Sequence, residues 1–113
     1  MKKIYHLKSC DSCRKILKQL PNLAEFELRD IKENPITVSE LEEMKALSGS
    51  YESLFSRRAK LYKERGLKDV KLTEEDYKKL ILDHYTFLSR PVAIVGTRIF
   101  IGNSPKTITE LIS

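Results

Sequence analysis

Cys10 and Cys13 are the only cysteines in the 113-residue chain, and they lie in the stretch LKSCDSCRKILKQL. Two thiols at this spacing can do three kinds of chemistry. One thiolate can act as a nucleophile, the pair can exchange with disulfides, or both can ligate a metal. A thiol of pKa about 8.5 is only about 3% ionised at pH 7, whereas one lowered to about 6 is about 90% thiolate. The chemistry therefore turns on what surrounds Cys10.

The elements around the pair address that question. Residues 3–7 alternate weakly through Ile4, Tyr5 and Leu7 and predict a first strand. From Cys13 the apolar positions Cys13, Ile16, Leu17 and Leu20 follow the spacing of one helical face, and Pro21-Asn22 ends that helix. Cys10 thus falls just before or at the first helical turn, where unpaired backbone N–H groups and the helix dipole favour a negative charge. Lys8, Arg14 and Lys15 push the same way, against Asp11. Cys13, on the apolar face, is expected to be partly buried and less ionised. Cys10 is then the thiol presented for attack and Cys13 the one that resolves a mixed disulfide. Two competing readings are a pair of inert buried cysteines and a zinc site using Cys10, Cys13, His6 and His84. The second has no further Cys-x-x-Cys or His-x-x-x-His pair beside it. No bound metal is expected; His6 reads as a strand residue and His84 as a helix residue satisfied by a neighbour.

Downstream, Ala24 to Leu28 alternates with period two and predicts a second strand, and DIKENP reads as a turn. Thr37 and Glu40 form a capping box before Leu41, Met44 and Leu47, and Gly49 stops that helix. Residues 51–66 predict one or two short helices closed by Gly66. Thr73 caps a further helix with Tyr77, Leu80, Ile81 and His84 on its buried face. RPVAIVGTRIFIG predicts two strands around Gly96-Thr97, and Ser104-Pro105 opens a last helix through Ile112. The order βαβ, a helical block and ββα is that of an α/β thioredoxin-like fold. It implies a mixed four-stranded sheet in one domain spanning 1–113, with a helical insertion at about 37–88.

Apolar content of 41% and charged content of 33% fit a globular protein rather than a disordered one. No apolar run has signal-peptide character or membrane-spanning length, so a cytoplasmic protein without a membrane partner is expected. In that compartment a close cysteine pair is more often redox-active than structural. Seven basic residues (Arg57, Arg58, Lys60, Lys63, Arg65, Lys68 and Lys71) against Glu64 and Asp69 account for the whole net charge of +5. That segment suits a solvated helix surface, a small-anion site or an acidic partner. Direct nucleic-acid binding is not expected, because there is no recognisable DNA-binding helix motif or basic arm.

Three stretches together resemble the arsenate reductase/Spx family of thioredoxin-fold proteins: IYHLKSCDSCRKIL, LFSRRAKLYKERGLK and TFLSRPVAIVGTRIFIGNSP. The resemblance implies that Cys10 is the family's nucleophile. It matches Arg58 to the mid-chain arginine, with Arg57 beside it as the weaker choice, and Arg90 to the arginine preceding the proline. Pro91 matches the proline that such folds hold in the cis form beside the reactive cysteine. A guanidinium fork suits an oxyanion or carboxylate, so Arg58 and Arg90 would hold the anionic part of a substrate. IFIGNSP carries no arginine where arsenate-reducing members have a third, and Cys13 is a feature of the Spx branch. The implied function is a thiol-dependent reductase with no bound cofactor. Its partners would be a small anionic substrate and a thiol donor such as glutathione, glutaredoxin or thioredoxin. The alternative is an Spx-like redox-sensing regulator that binds RNA polymerase under control of a Cys10–Cys13 disulfide.

Overall fold

The computed structural model describes residues 2–113, and its contacts divide the chain into two compact units. The first unit runs to Asn34 and resumes over Arg90–Ser113; the second is Pro35–Ser89.

The first unit is built on four strands: β1 (Lys2–His6), β2 (Glu27–Asp30), β3 (Val92–Val95) and β4 (Arg98–Ile101). Their order in the sheet is β2-β1-β3-β4. β1 pairs parallel with β2, with His6 opposite Asp30, and antiparallel with β3, with Tyr5 opposite Val92. β3 and β4 form the expected hairpin across Gly96, whose φ of 63° is a turn conformation glycine adopts without steric cost. The helices of this unit are α1 (Asp11–Gln19) and α5 (Pro105–Ile112). Ile4, Leu20, Phe26, Ala93 and Phe100 form one buried cluster. Leu17 of α1 and Leu111 and Ile112 of α5 pack against it. That packing anchors the C-terminal half of α1 against the sheet.

One strand differs from the sequence pattern. Of the strand expected over residues 24–28, only 27 and 28 are extended in the sheet. Leu23–Glu25 is a single 3-10 turn, and β2 starts at Glu27. Glu25 and Phe26 N–H groups close back onto Asn22 and Leu23 carbonyls at 3.0 Å each, which sends Phe26 into the core as an anchor. Leu28 remains 45% exposed on an edge strand, so the alternation had only one buried member.

The second unit is helical: α2 (Val38–Ser48), α3 (Lys60–Glu64) and α4 (Glu74–Asp83), joined by short 3-10 turns. Thr37 and Glu40 form a reciprocal capping box at α2, as the sequence predicts, and Thr73 and Asp76 form another at α4. Gly49 ends α2 with φ 98°. Phe55 stacks on Phe87 at 5.4 Å and lies 4.9 Å from the Tyr77 ring, and an antiparallel bridge pairs Phe55 with Leu88. Tyr77 and Ile81 are buried as expected, but Leu80 is only half-buried and His84 is not on the helix. The backbone at His84 is extended (φ −151°), and its Nδ1 accepts the Thr86 N–H at 3.0 Å. Among the described residues no helix is long and apolar enough to cross a membrane.

Candidate thiol site

Strand β1 delivers the chain to the loop 7–9, and α1 carries it away. Cys10 is the N-cap of α1, with extended backbone (φ −91°, ψ 115°). Its N–H donates to the Leu7 carbonyl at 3.0 Å, and its own carbonyl accepts from Arg14 N–H at 3.1 Å. The side chain does not cap the helix. The Cys10 sulfur is half-buried, and the groups that act on its charge are the Cys13 N–H, the Cys13 thiol and the Arg90 guanidinium.

Burial alone would raise the Cys10 pKa, but the two Cys13 donors and Arg90 outweigh it and hold the thiol below its ordinary range. Cys13 goes the other way. It is fully buried on the core side of α1, and burial is the largest cause of its rise to about 12. The proton it shares with Cys10, and the negative charge of Cys10 itself, add to that rise. One thiol is poised as an anion while its neighbour keeps a proton. Both assignments agree with the placement of Cys10 at a helix start, but the cations differ from those anticipated. Arg14 pairs with Asp11 and donates to the Lys8 carbonyl at 2.7 Å, and Lys8 Nζ pairs with Glu33 at 3.3 Å. Lys15 is exposed. The charge that acts on Cys10 comes from Arg90, at the start of the later segment of the unit.

The proline at position 91 positions Arg90. The Arg90–Pro91 peptide is cis, as the resemblance implied, Pro91 is fully buried, and its carbonyl accepts from Gly102 N–H at 2.9 Å. The first unit therefore brings together Cys10, Cys13, Arg90 and Pro91. Arg57 and Arg58 belong to the second unit. Arg57 is engaged there: its Nη2 donates to Glu52 Oε2 at 2.7 Å and to the Tyr77 hydroxyl at 2.9 Å, with the guanidinium 5.7 Å from the Tyr77 ring centre. Arg58 is exposed and makes no ion pair among the described residues.

Asp30 is a residue that motif reading passed over. Its carboxylate accepts from Lys8 N–H at 3.0 Å, Lys32 N–H at 2.8 Å and Glu33 N–H at 3.2 Å. The acid heading DIKENP signalled a turn that caps itself, but not the bond to Lys8. Among the described residues no three His, Cys, Asp or Glu side chains gather where they could hold a metal ion.

The chain is similar to known proteins in both sequence and fold. The ArsC family profile matches residues 5–111. An arsenate reductase of Haemophilus influenzae is 26% identical over 96% of this chain and 97% of its own. The global transcriptional regulator Spx 2 of Bacillus anthracis is 30% identical over 96% of this chain and 85% of its own. Among solved structures, an arsenate reductase from Vibrio cholerae superposes with a TM-score of 0.76 at 25% identity. That match covers 99% of this chain and 97% of the other.

Proposed function

Because this chain belongs to the ArsC family and is similar to proteins named arsenate reductase, we propose that Cys10 is the nucleophile of an oxyanion or mixed-disulfide reductase. The observation that carries the reading is the opposed state of the two thiols: Cys10 acidified beside Arg90, Cys13 buried and protonated.

In the disulfide form of the reaction, the Cys10 thiolate attacks a glutathione mixed disulfide. A Cys10–S–S bond forms as the substrate S–S bond breaks, and the substrate's other sulfur leaves as a thiolate. Cys13 then loses its proton to solvent and attacks the Cys10 sulfur. That forms the Cys10–Cys13 disulfide and releases the second thiol. Two electrons from an external thiol such as glutathione, glutaredoxin or thioredoxin restore the pair. With an oxyanion substrate such as arsenate the same thiolate attacks the central atom, a bond from sulfur to that atom forms as one oxygen leaves as water, and Arg90 neutralises the developing charge. A second thiol, Cys13 or an external one, then attacks the Cys10 sulfur, so that the central atom leaves with two more electrons and a disulfide remains. Arg58 is proposed as a second anion-binding residue on the family resemblance, and Arg57 is the weaker candidate because Glu52 already holds it.

Coupled turnover tests the reading. Purified protein, arsenate, glutathione and glutaredoxin are followed by NADPH oxidation through glutathione reductase, with Cys10→Ser as the reference. Turnover above that variant is expected with arsenate or with a glutathione mixed disulfide; rates no higher than the variant's with both substrates would remove the enzyme reading.

A second reading is favoured by Cys13, whose thiol sits against Cys10, and by the relative named Spx 2. Here the pair is a reversible sensor whose disulfide alters binding to RNA polymerase. Its signature would be co-purification with polymerase that changes between oxidised protein and Cys13→Ala.

A further inference from the structure

Asp30 ends β2 on the rung opposite His6 and is only 8% exposed. Burying a carboxylate is unfavourable unless donors meet it. Lys32 and Glu33 N–H groups supply two donors, as expected where an acid opens a turn. The third donor is not local. Lys8 belongs to the loop after β1, two residues before Cys10, and its N–H donates to Asp30 Oδ2 at 3.0 Å. The Lys8 carbonyl is also held, by Arg14 Nη1 at 2.7 Å. Strand pairing continues beside it, with Ile31 N–H donating to the His6 carbonyl at 3.0 Å. The loop that sets the height of Cys10 is therefore tied on one side to the end of β2 and on the other to α1.

We propose that Asp30 is a positioning residue for the Cys10 thiol, its carboxylate tying the Lys8 peptide so that the sulfur meets the Cys13 N–H and the Arg90 guanidinium. The proposal rests on Cys10 being the reactive thiol. Its physical basis is that donors aimed at a developing or resident anion lose most of their effect when the anion moves by about 1 Å. Asp30 touches neither thiol in this scheme. It acts through the loop; burial pushes its pKa up, but the three N–H donors outweigh that and hold it below the ordinary carboxylate range.

The sign of one measurement separates this role from a simple charge effect. A carboxylate acting only as a nearby negative charge disfavours the thiolate, so removing it lowers the Cys10 pKa. A carboxylate that holds the loop does the reverse: removing it raises the Cys10 pKa. In Asp30→Asn an NH2 group replaces one acceptor, so the Lys8 bond and the turn bonds cannot both persist.

The experiment tracks iodoacetamide labelling of Cys10 across pH, together with amide exchange of Lys8 by NMR. It uses wild type, Asp30→Ala, Asp30→Asn and a core variant, Phe100→Leu, that lowers stability without touching the loop. Lys8 exchange is expected to accelerate about ten-fold in Asp30→Ala. The Cys10 pKa is expected to rise in Asp30→Ala, to rise less in Asp30→Asn, and to stay in place in Phe100→Leu. An unchanged or lower pKa in both Asp30 variants, or Lys8 exchange equal to wild type, overturns the proposal. So does an equal pKa rise in Phe100→Leu. If Asp30→Ala does not fold, Asp30→Asn decides on the same two readouts. Failure of the reactive-thiol reading shows separately, as a wild-type Cys10 that titrates at an ordinary thiol value.

Discussion

Arg90 and Arg57 present the same guanidinium in two different settings. In the sheet-based unit Arg90 precedes a buried proline and reaches a sulfur. In the helical unit Arg57 meets a carboxylate and a phenol, Glu52 and Tyr77. Arg90 lowers the pKa of a partner that would otherwise be neutral, and so it changes chemistry. Arg57 neutralises a partner that is already charged, and its own pKa rises chiefly through Glu52. The segment 57–71 holds the whole net charge of the chain, yet the cation that acts on Cys10 lies outside it. Charge density does not locate a site; the partner of each charge does.

The largest expected contrast lies between the two thiols. Cys10→Ser should abolish fast alkylation and any coupled turnover, whereas Cys13→Ala should keep single-turnover attack, slowed by the loss of the Cys13 thiol donor. Mass spectrometry of labelled peptides at neutral pH checks it, and faster labelling of Cys13 than of Cys10 would reverse the assignment.

Next comes the contrast between the arginines. Arg90→Ala should weaken sulfate or arsenate binding by about ten- to a hundred-fold, the effect of losing a charge-assisted hydrogen bond worth about 1.5–3 kcal/mol. It should also raise the Cys10 pKa. Arg90→Lys should recover part of both effects, because charge returns but the fork does not. Isothermal titration and thiol labelling measure the two quantities. If Arg90→Ala matches wild type in both, the anion-site reading fails.

A smaller effect appears in alkaline solution. An unfolded Cys13 thiol loses its proton near 9, whereas the folded one holds it to about 12. Between these values the unfolded chain binds fewer protons than the folded one, so this group reduces stability as pH rises through the window. Urea midpoints measured from pH 8 to 10 should fall less steeply in Cys13→Ala than in wild type. Parallel curves would show that the buried thiol is not the cause.

The smallest effect belongs to Arg57. Its ion pair with Glu52 is about half exposed on both sides (50% and 54%). Arg57→Ala should therefore cost about 0.2–1 kcal/mol in denaturant melts, with Cys10 labelling unchanged. A pKa shift at Cys10 as large as that of Arg90→Ala would erase the contrast between the two arginines.

Much of this is legible from local signals. Thr37 with Glu40 and Gly49 bound a helix because capping chemistry is confined to one turn. The roles of Cys10 and Cys13 come from helix position, since an N-cap and an apolar-face residue one turn later meet different surroundings. What local sequence does not carry is partnership across the chain. Lys8 and Arg14 read as activating cations in the sequence, but Glu33, Asp11 and the Lys8 carbonyl occupy them. Only resemblance ties Arg90 to Cys10, because nothing near Cys10 in sequence announces it. The start of β2 differs from the pattern because Phe26 and Leu28 look equivalent at period two, although only Phe26 has a core to enter. His84 falls on the expected apolar face, but the backbone has already left the helix there.

The division of the sheet between two distant stretches of sequence has a consequence for synthesis on the ribosome. β3 occupies an interior position between β1 and β4 but is made long after β1 and β2. The nascent chain thus carries β1 without its antiparallel neighbour, and Cys10 without the guanidinium that acidifies it. The Cys13 N–H and thiol, one helical turn away, are made early, but the Arg90 charge reaches the Cys10 sulfur only once β3 has left the exit tunnel and joined the sheet, so the full lowering of that pKa waits for the end of synthesis.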